Sequence, residues 1–142
     1  MIKEFVEDNL NITLGSKYKE NYSVKEIVKH IDEDVQDAIK HGKIFKIEYN
    51  IRERKIRDSF MSDIEFTVLS SSRKLVINGK PTEDYFFIKK KIQEMIDEYL
   101  RYESNPSIDW SQGNFFSTII FSDDALKWLI SDKNGIKNWE KI

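Results

Sequence analysis

Cysteine is absent from all 142 residues, which excludes disulfides, thiolate metal sites and a cysteine nucleophile. Proline occurs twice, and the five glycines fall singly, so there is neither a phosphate-cradling glycine loop nor a Gly-x-Ser-x-Gly elbow. His-Glu-x-x-His is missing as well. No apolar run approaches the roughly 18 residues of a membrane-spanning helix, and the stretch from Met1 to Asp8 carries acids where a secretory leader needs an apolar core. The expectation is a soluble, cytoplasmic protein without a cofactor. No period of roughly 20 to 50 residues repeats.

The material for one core is present. Hydrophobic residues make up 39% of the chain and aromatics 13%, and a domain near this size buries about two-thirds of its unfolded surface. A single domain over 1–142 is expected, with a helical arm at 1–14, a core at 23–121 and a C-terminal helix and tail at 122–142. Charged residues are 34% with a formal net charge of −2, divided as −3 over 1–42, +3 over 43–102 and −2 over 103–142.

Ile2, Phe5, Val6 and Leu10 keep helical spacing and predict a short first helix. Ser23 followed by Glu26 forms a capping box. Behind it Val24, Ile27, Val28, Ile31, Val35, Ala38 and Ile39 make one apolar stripe, and Gly42 can end the helix. From residue 44 the period becomes two: Phe45, Ile47, Tyr49 and Ile51 alternate with polar residues, as do Ile64, Phe66 and Val68. Leu75-Val76-Ile77 is the third strand of an expected antiparallel meander.

Pro81-Thr82 opens another helix, with Tyr85, Ile88, Ile92, Met95, Ile96, Tyr99 and Leu100 on its inner stripe. A polar loop spans 103–114. Phe115 to Phe121 is apolar on both faces, as in a central or doubly covered strand. Ser122, Asp123 and Asp124 start a last helix that Gly135 can stop. Within it Trp128 reads as core, and Trp139 as a tail-docking residue. The order ααβββαβα describes an α+β domain with a mostly antiparallel sheet packed against helices.

His30, Asp34, Asp37 and His41 share one face of the second helix, and imidazole and carboxylate ligands suit Zn²⁺ or a similar ion. One straight helix cannot wrap four ligands around an ion, so a solvated face with Asp–His pairs is the preferred reading. The order αβββαβ over 23–121 resembles the core of restriction-endonuclease-like nucleases, which implies acids holding Mg²⁺ on a central strand and an acid-x-lysine on the next. Asp63 and Glu65 match the first requirement; Arg73 to Asn78 contains no acid for the second. The order αβββα over 23–102 resembles a double-stranded-RNA-binding domain. That resemblance implies phosphate contacts by Lys89, Lys90 and Lys91, beside a basic turn of Arg52, Arg54, Lys55 and Arg57. Acids at Glu94, Asp97 and Glu98 oppose it, and the family's histidine-containing loop has no counterpart.

On a helical wheel Phe87 falls opposite the inner stripe, beside Lys90 and Lys91. Either another segment covers it, or it anchors a contact patch ringed by charge. Trp110 in the polar loop poses the same choice. A steered contact is also available on the acidic face of Glu26, Glu33, Asp34 and Asp37. The leading expectation is a non-catalytic domain that binds another protein through Phe87, Lys90, Lys91, Trp110, Glu33, Asp34 and Asp37. In size and composition such a chain is similar to immunity proteins, phage-encoded inhibitors and accessory subunits. The alternative is nucleic-acid binding by the seven basic residues of the turn and lysine helix.

Overall fold

The computed structural model describes residues 2–7, 10–57, 61–108 and 110–127. The fold is α+β with mostly antiparallel sheets. Its first departure from the sequence reading is at the start: β1 (Ile2–Glu7) and β2 (Leu10–Gly15) form an antiparallel hairpin in place of a helical arm. The apolar positions at 2, 5, 6 and 10 fit a helix taken alone. Leu10, Ile12 and Leu14, however, alternate with Asn11 and Thr13, and this strand period wins because β2 has a partner on each side. The second partner is β7 (Arg101–Asn105), which pairs in turn with β8 (Trp110–Gly113). The segment expected as a polar loop therefore supplies two strands. Its polarity is that of a sheet with a wet face, which composition alone does not distinguish from a loop.

The helical part follows the sequence closely. α1 (Val24–Lys40) opens at Ser23 with both halves of the capping box present and buries Ile27, Ile31, Val35 and Ala38. α2 (Glu83–Asp97) is capped by Thr82, whose hydroxyl accepts from the Tyr85 N–H, and buries Ile88, Ile92 and Ile96.

Between the helices β3 (Ile47–Lys55) and β4 (Ser62–Ser71) pair antiparallel. The expected third meander strand does not join them. β5 (Val76–Ile77) turns back through Asn78 and Gly79, both at positive φ, to pair with β6 (Lys80–Pro81) in an isolated two-residue ladder. An Asn-Gly pair suits that tight hairpin, and the buried Leu75 anchors the approach to it. The free side of β4 is taken instead by β9 (Phe116–Phe121), in parallel, with Phe66 opposite Ile119. The sheet order is β3-β4-β9, so among the described residues β9 is an edge strand and not a central one.

α3 (Asp123–Lys127) starts as expected, with Ser122 Oγ accepting from the Ala125 N–H at 3.1 Å. Trp128, Gly135 and Trp139 lie outside the described residues.

One cluster of side chains holds α1 and α2 on a single face of the β3-β4-β9 sheet: Ile27, Ile31, Val35, Ile64, Phe66, Val68, Ile88, Ile92 and Ile96 are its centre. Fully burying side chains of this kind is worth roughly 1.5 to 3 kcal/mol each before chain entropy is counted. The other sheet is fastened to the end of α2. Gly15 N–H donates to the Leu100 carbonyl and Lys17 N–H to that of Glu98, each at 2.8 Å, satisfying acceptors that a helix end leaves open. A Cβ on Gly15 would lie 2.3 Å from the Asp97 and Glu98 backbone, so only glycine permits this approach. Among the described residues no helix is long and apolar enough to cross a membrane.

Candidate functional site

α2 presents two flanks. On one, Phe87 is half-buried with its ring centroid 6.1 Å from that of Phe45, and the Lys91 ammonium stands 5.7 Å from the Phe87 centroid. Cover from another segment is thus supplied by Phe45, at the entry to β3. The wheel misplaced the buried arc because it assumed that only the sheet packs on α2. Phe45 buries the next flank too, and the apolar arc is rotated toward it.

The other flank holds the exposed aromatic, Phe86, which keeps 59% of its surface in solvent. Its ring stands edge-on to Tyr85, 5.2 Å between centroids, and Tyr85 in turn lies 4.7 Å from Phe121 of β9. Phe86, Lys89, Lys90, Gln93, Glu94 and Asp97 line an open concavity of about 500 Å³ along this flank. Lys89 and Lys90 are exposed, with the Lys89 ammonium 5.8 Å from the Tyr85 ring centre. Lys91, half-buried, pairs with Glu94 at 3.7 Å.

Gln93 Nε2 donates to Ser117 Oγ of β9 at 3.3 Å and to Asp97 Oδ1 at 2.9 Å. The flank therefore adjoins the sheet edge at β9, whose Phe116 and Ile120 are 49% and 40% exposed on the face away from the helices. Sequence reasoning named neither Phe86 nor these two residues. The legible signal was the uncharged run Phe-Ser-Thr-Ile-Ile-Phe, read as covered on both faces.

The basic turn is distributed differently. Ile64, Phe66 and Val68 point into the core, so Asp63, Glu65 and Thr67 point to the opposite face, together with their register partners Arg54, Arg52 and Asn50. On that face Arg54 Nη2 lies 3.3 Å from the buried Asp63, which also accepts from Thr118 Oγ1 at 3.0 Å. Arg52 Nη2 is 3.1 Å from Glu65 Oε1, and Arg54 Nε is 3.6 Å from Glu65 Oε2.

Lys55 Nζ contacts Glu53 at 3.0 Å, and Ser62 donates to the same carboxylate at 2.6 Å. The Ser62 hydroxyl, and after it Lys55, holds the Glu53 carboxyl below the usual carboxylate range. Arg57 is exposed after β3. These arginines and the α2 lysines lie on opposite faces of the sheet, so they do not form the one basic surface expected from the sequence. Asp63 and Glu65 are likewise engaged by arginines. Their neighbouring strand is β9 where the nuclease resemblance called for Arg73 to Asn78. The double-stranded-RNA-binding resemblance fails on the same absent meander.

On α1, the histidines and acids separate. His30 stacks between Tyr22 and Tyr99, at 4.8 and 6.1 Å, while its Nδ1 stands 3.8 Å from the exposed Glu33. His41 Nδ1 is 2.9 Å from the Asp37 carbonyl and 3.6 Å from its exposed carboxylate. Asp34 is enlisted elsewhere: Tyr99 Oη donates to it at 2.6 Å and Lys17 Nζ sits 3.1 Å away, also bridging to Glu98 at 3.1 Å. Burial, followed by the hydrogen bond to Asp34, pushes the Tyr99 hydroxyl well above the usual tyrosine range. Among the described residues no three His, Asp or Glu side chains converge as a metal site.

Trp110 takes its place in β8 opposite Asn105; its side chain lies outside the described residues. Comparison with family models, with curated proteins and with solved structures returns no match for this chain.

Proposed function

We propose that this chain works by binding another protein, through the surface where the Phe86 flank of α2 meets the β9 edge. The observation that carries the reading is the exposure of Phe86 beside an open, largely apolar concavity rimmed by Lys89, Lys90, Glu94 and Asp97; at the same edge Phe116 and Ile120 are exposed on the opposite face of the sheet. An aromatic anchor within a charged rim is the composition of a protein interface, and a strand edge without a partner among the described residues adds backbone donors and acceptors. The exposed Glu33 and Asp37 on α1 supply a separate acidic face for steering.

A small binder of inhibitor or immunity type, acting in the cytoplasm, is the role this reading favours. Such a role needs no reaction centre, and the paired state of Asp63, Glu65, Arg52 and Arg54 suits a structural task for those charges. The test replaces Phe86 by Asp. Its melting temperature stays within a few degrees of the parent, while binding measured with the immobilised chain is lost. Unchanged binding by a folded Phe86→Asp chain overturns the reading.

A further inference from the structure

The sheet edges are guarded unequally. β3, the other edge of the β3-β4-β9 sheet, carries Glu48, Arg52, Glu53, Arg54 and Lys55 and a bulge at Glu48/Tyr49. β1 carries Lys3, Glu4 and Glu7, and β8 is only four residues long. Charges, bulges and shortness are the devices that keep strand edges from pairing with other chains. β9 has six residues with no charge, no proline and no bulge, and among the described residues it pairs only with β4.

We infer that the partner of this edge is a second copy of the same chain, joined through antiparallel β9–β9 pairing about a two-fold axis at Thr118. This rests on the reading of the α2–β9 surface as a protein-binding site and names the occupant. A two-fold axis perpendicular to the sheet keeps each face on its own side only if it passes through a residue. Centred on Thr118, it sets Phe116 of each copy opposite Ile120 of the other, so the two exposed apolar side chains cover one another. Centred on Ile119, it leaves Phe116 without an opposite residue in the strand.

The helices argue for the same axis. Gln93 touches Ser117 and Tyr85 touches Phe121, so α2 runs antiparallel to β9 with Thr118 level with residue 91. An antiparallel copy about that level brings Lys89 and Lys90 of each chain beside Gln93 and Glu94 of the other, with Asp97 level with Tyr85. The basic half of each flank meets the acidic half of its copy, adding to the Lys91–Glu94 pair within each chain.

Sedimentation of the full chain from micromolar to near-millimolar concentration reads the mass directly. The expected result is a dimer that Ile120→Lys converts to monomer without loss of folded signal. Thr118→Cys provides an independent readout, because the chain has no other cysteine: mild oxidation yields a disulfide-linked dimer, whereas Ser117→Cys, offset from its own copy, stays largely unlinked. A monomer throughout that range, or a dimer that Ile120→Lys leaves intact and Thr118→Cys does not cross-link, overturns the inference. A monomer that still binds a different protein in a Phe86-dependent way sinks the second copy as occupant and leaves the proposed function standing.

Discussion

Gln93 of α2 donates to Ser117 of β9, and this 3.3 Å contact ties the exposed flank of the helix to the open edge of the sheet. Phe86 stands exposed on the helix side of that edge, and Phe116 on the opposite face. Gln93→Ala removes the neutral hydrogen bond to Ser117 together with the one to the Asp97 carboxylate, so a cost of about 1 to 3 kcal/mol is expected. Binding through the surface should weaken as the flank loses its fixed position. Chemical denaturation and a binding titration on the same variant check both; a variant with full stability and full binding denies the contact any role.

Phe86 and Phe87 are adjacent and should behave oppositely. Phe87→Asp places a charge against Phe45 and costs on the order of 2 kcal/mol, lowering the melting temperature by several degrees. Phe86→Asp leaves the melting temperature nearly unchanged because its ring is already largely in water. Thermal melts of the two variants decide the assignment, and a reversed order contradicts the placement of α2.

Why the sequence singled out Phe87 rather than Phe86 is physical. Helical periodicity reports which side of α2 is apolar, and Ile88, Ile92 and Ile96 were legible for that reason. It does not report how many elements press on the helix, and Phe45 arrives from a connection whose path no local pattern encodes. The same limit explains the sheets. The Ser23–Glu26 cap, α1, and the alternation in β3 and β4 were readable because their causes are local. The parallel β4–β9 pair joins residues more than fifty apart, and the β2–β7 pair joins residues about ninety apart. Polar β7 and β8 acquire strand character only through those partners.

Arg54 covers the buried carboxylate of Asp63. Among the described residues, Arg54→Ala leaves that carboxylate with the Thr118 hydroxyl as its side-chain donor and should cost about 1 to 3 kcal/mol. Lys55→Ala, whose side chain is strongly exposed, should cost under about 1 kcal/mol. Urea unfolding of the two variants checks the ranking. Equal costs mean the arginine serves something other than the fold, and phosphate recognition regains its place.

Stability should be level through neutral pH and fall at the alkaline end. Burial, reinforced by hydrogen bonds to Asp32 and Asp34, raises the Tyr49 and Tyr99 hydroxyls above the ordinary tyrosine range. For Lys17 burial pulls the ammonium down, but hydrogen bonds to Asp34 and Glu98 outweigh it and hold the group above its ordinary value. All three are raised in the folded chain, so what they contribute is complete below about pH 10 and is lost as the pH rises through the folded values. In Tyr99→Phe, melting curves against pH should show a shallower alkaline decline. An identical decline removes Tyr99 from the account.

Nucleic acid offers a contrast that salt resolves. Because Arg52 and Arg54 face away from Lys89 and Lys90 and are paired with acids, duplex and single-stranded probes should show no steeply salt-dependent retention. Tight low-salt binding that Lys89→Glu with Lys90→Glu abolishes would return the chain to that class.

Hydrogen–deuterium exchange of the full chain at rising concentration tests the central claim most directly, since it reads the edge amides of β9 residue by residue. The account predicts that protection grows with concentration at 116–121, accompanied by slower exchange along 86–97, while β3 is unaffected. Exchange at 116–121 that stays fast and independent of concentration, or new protection confined to β3 or β1, contradicts it.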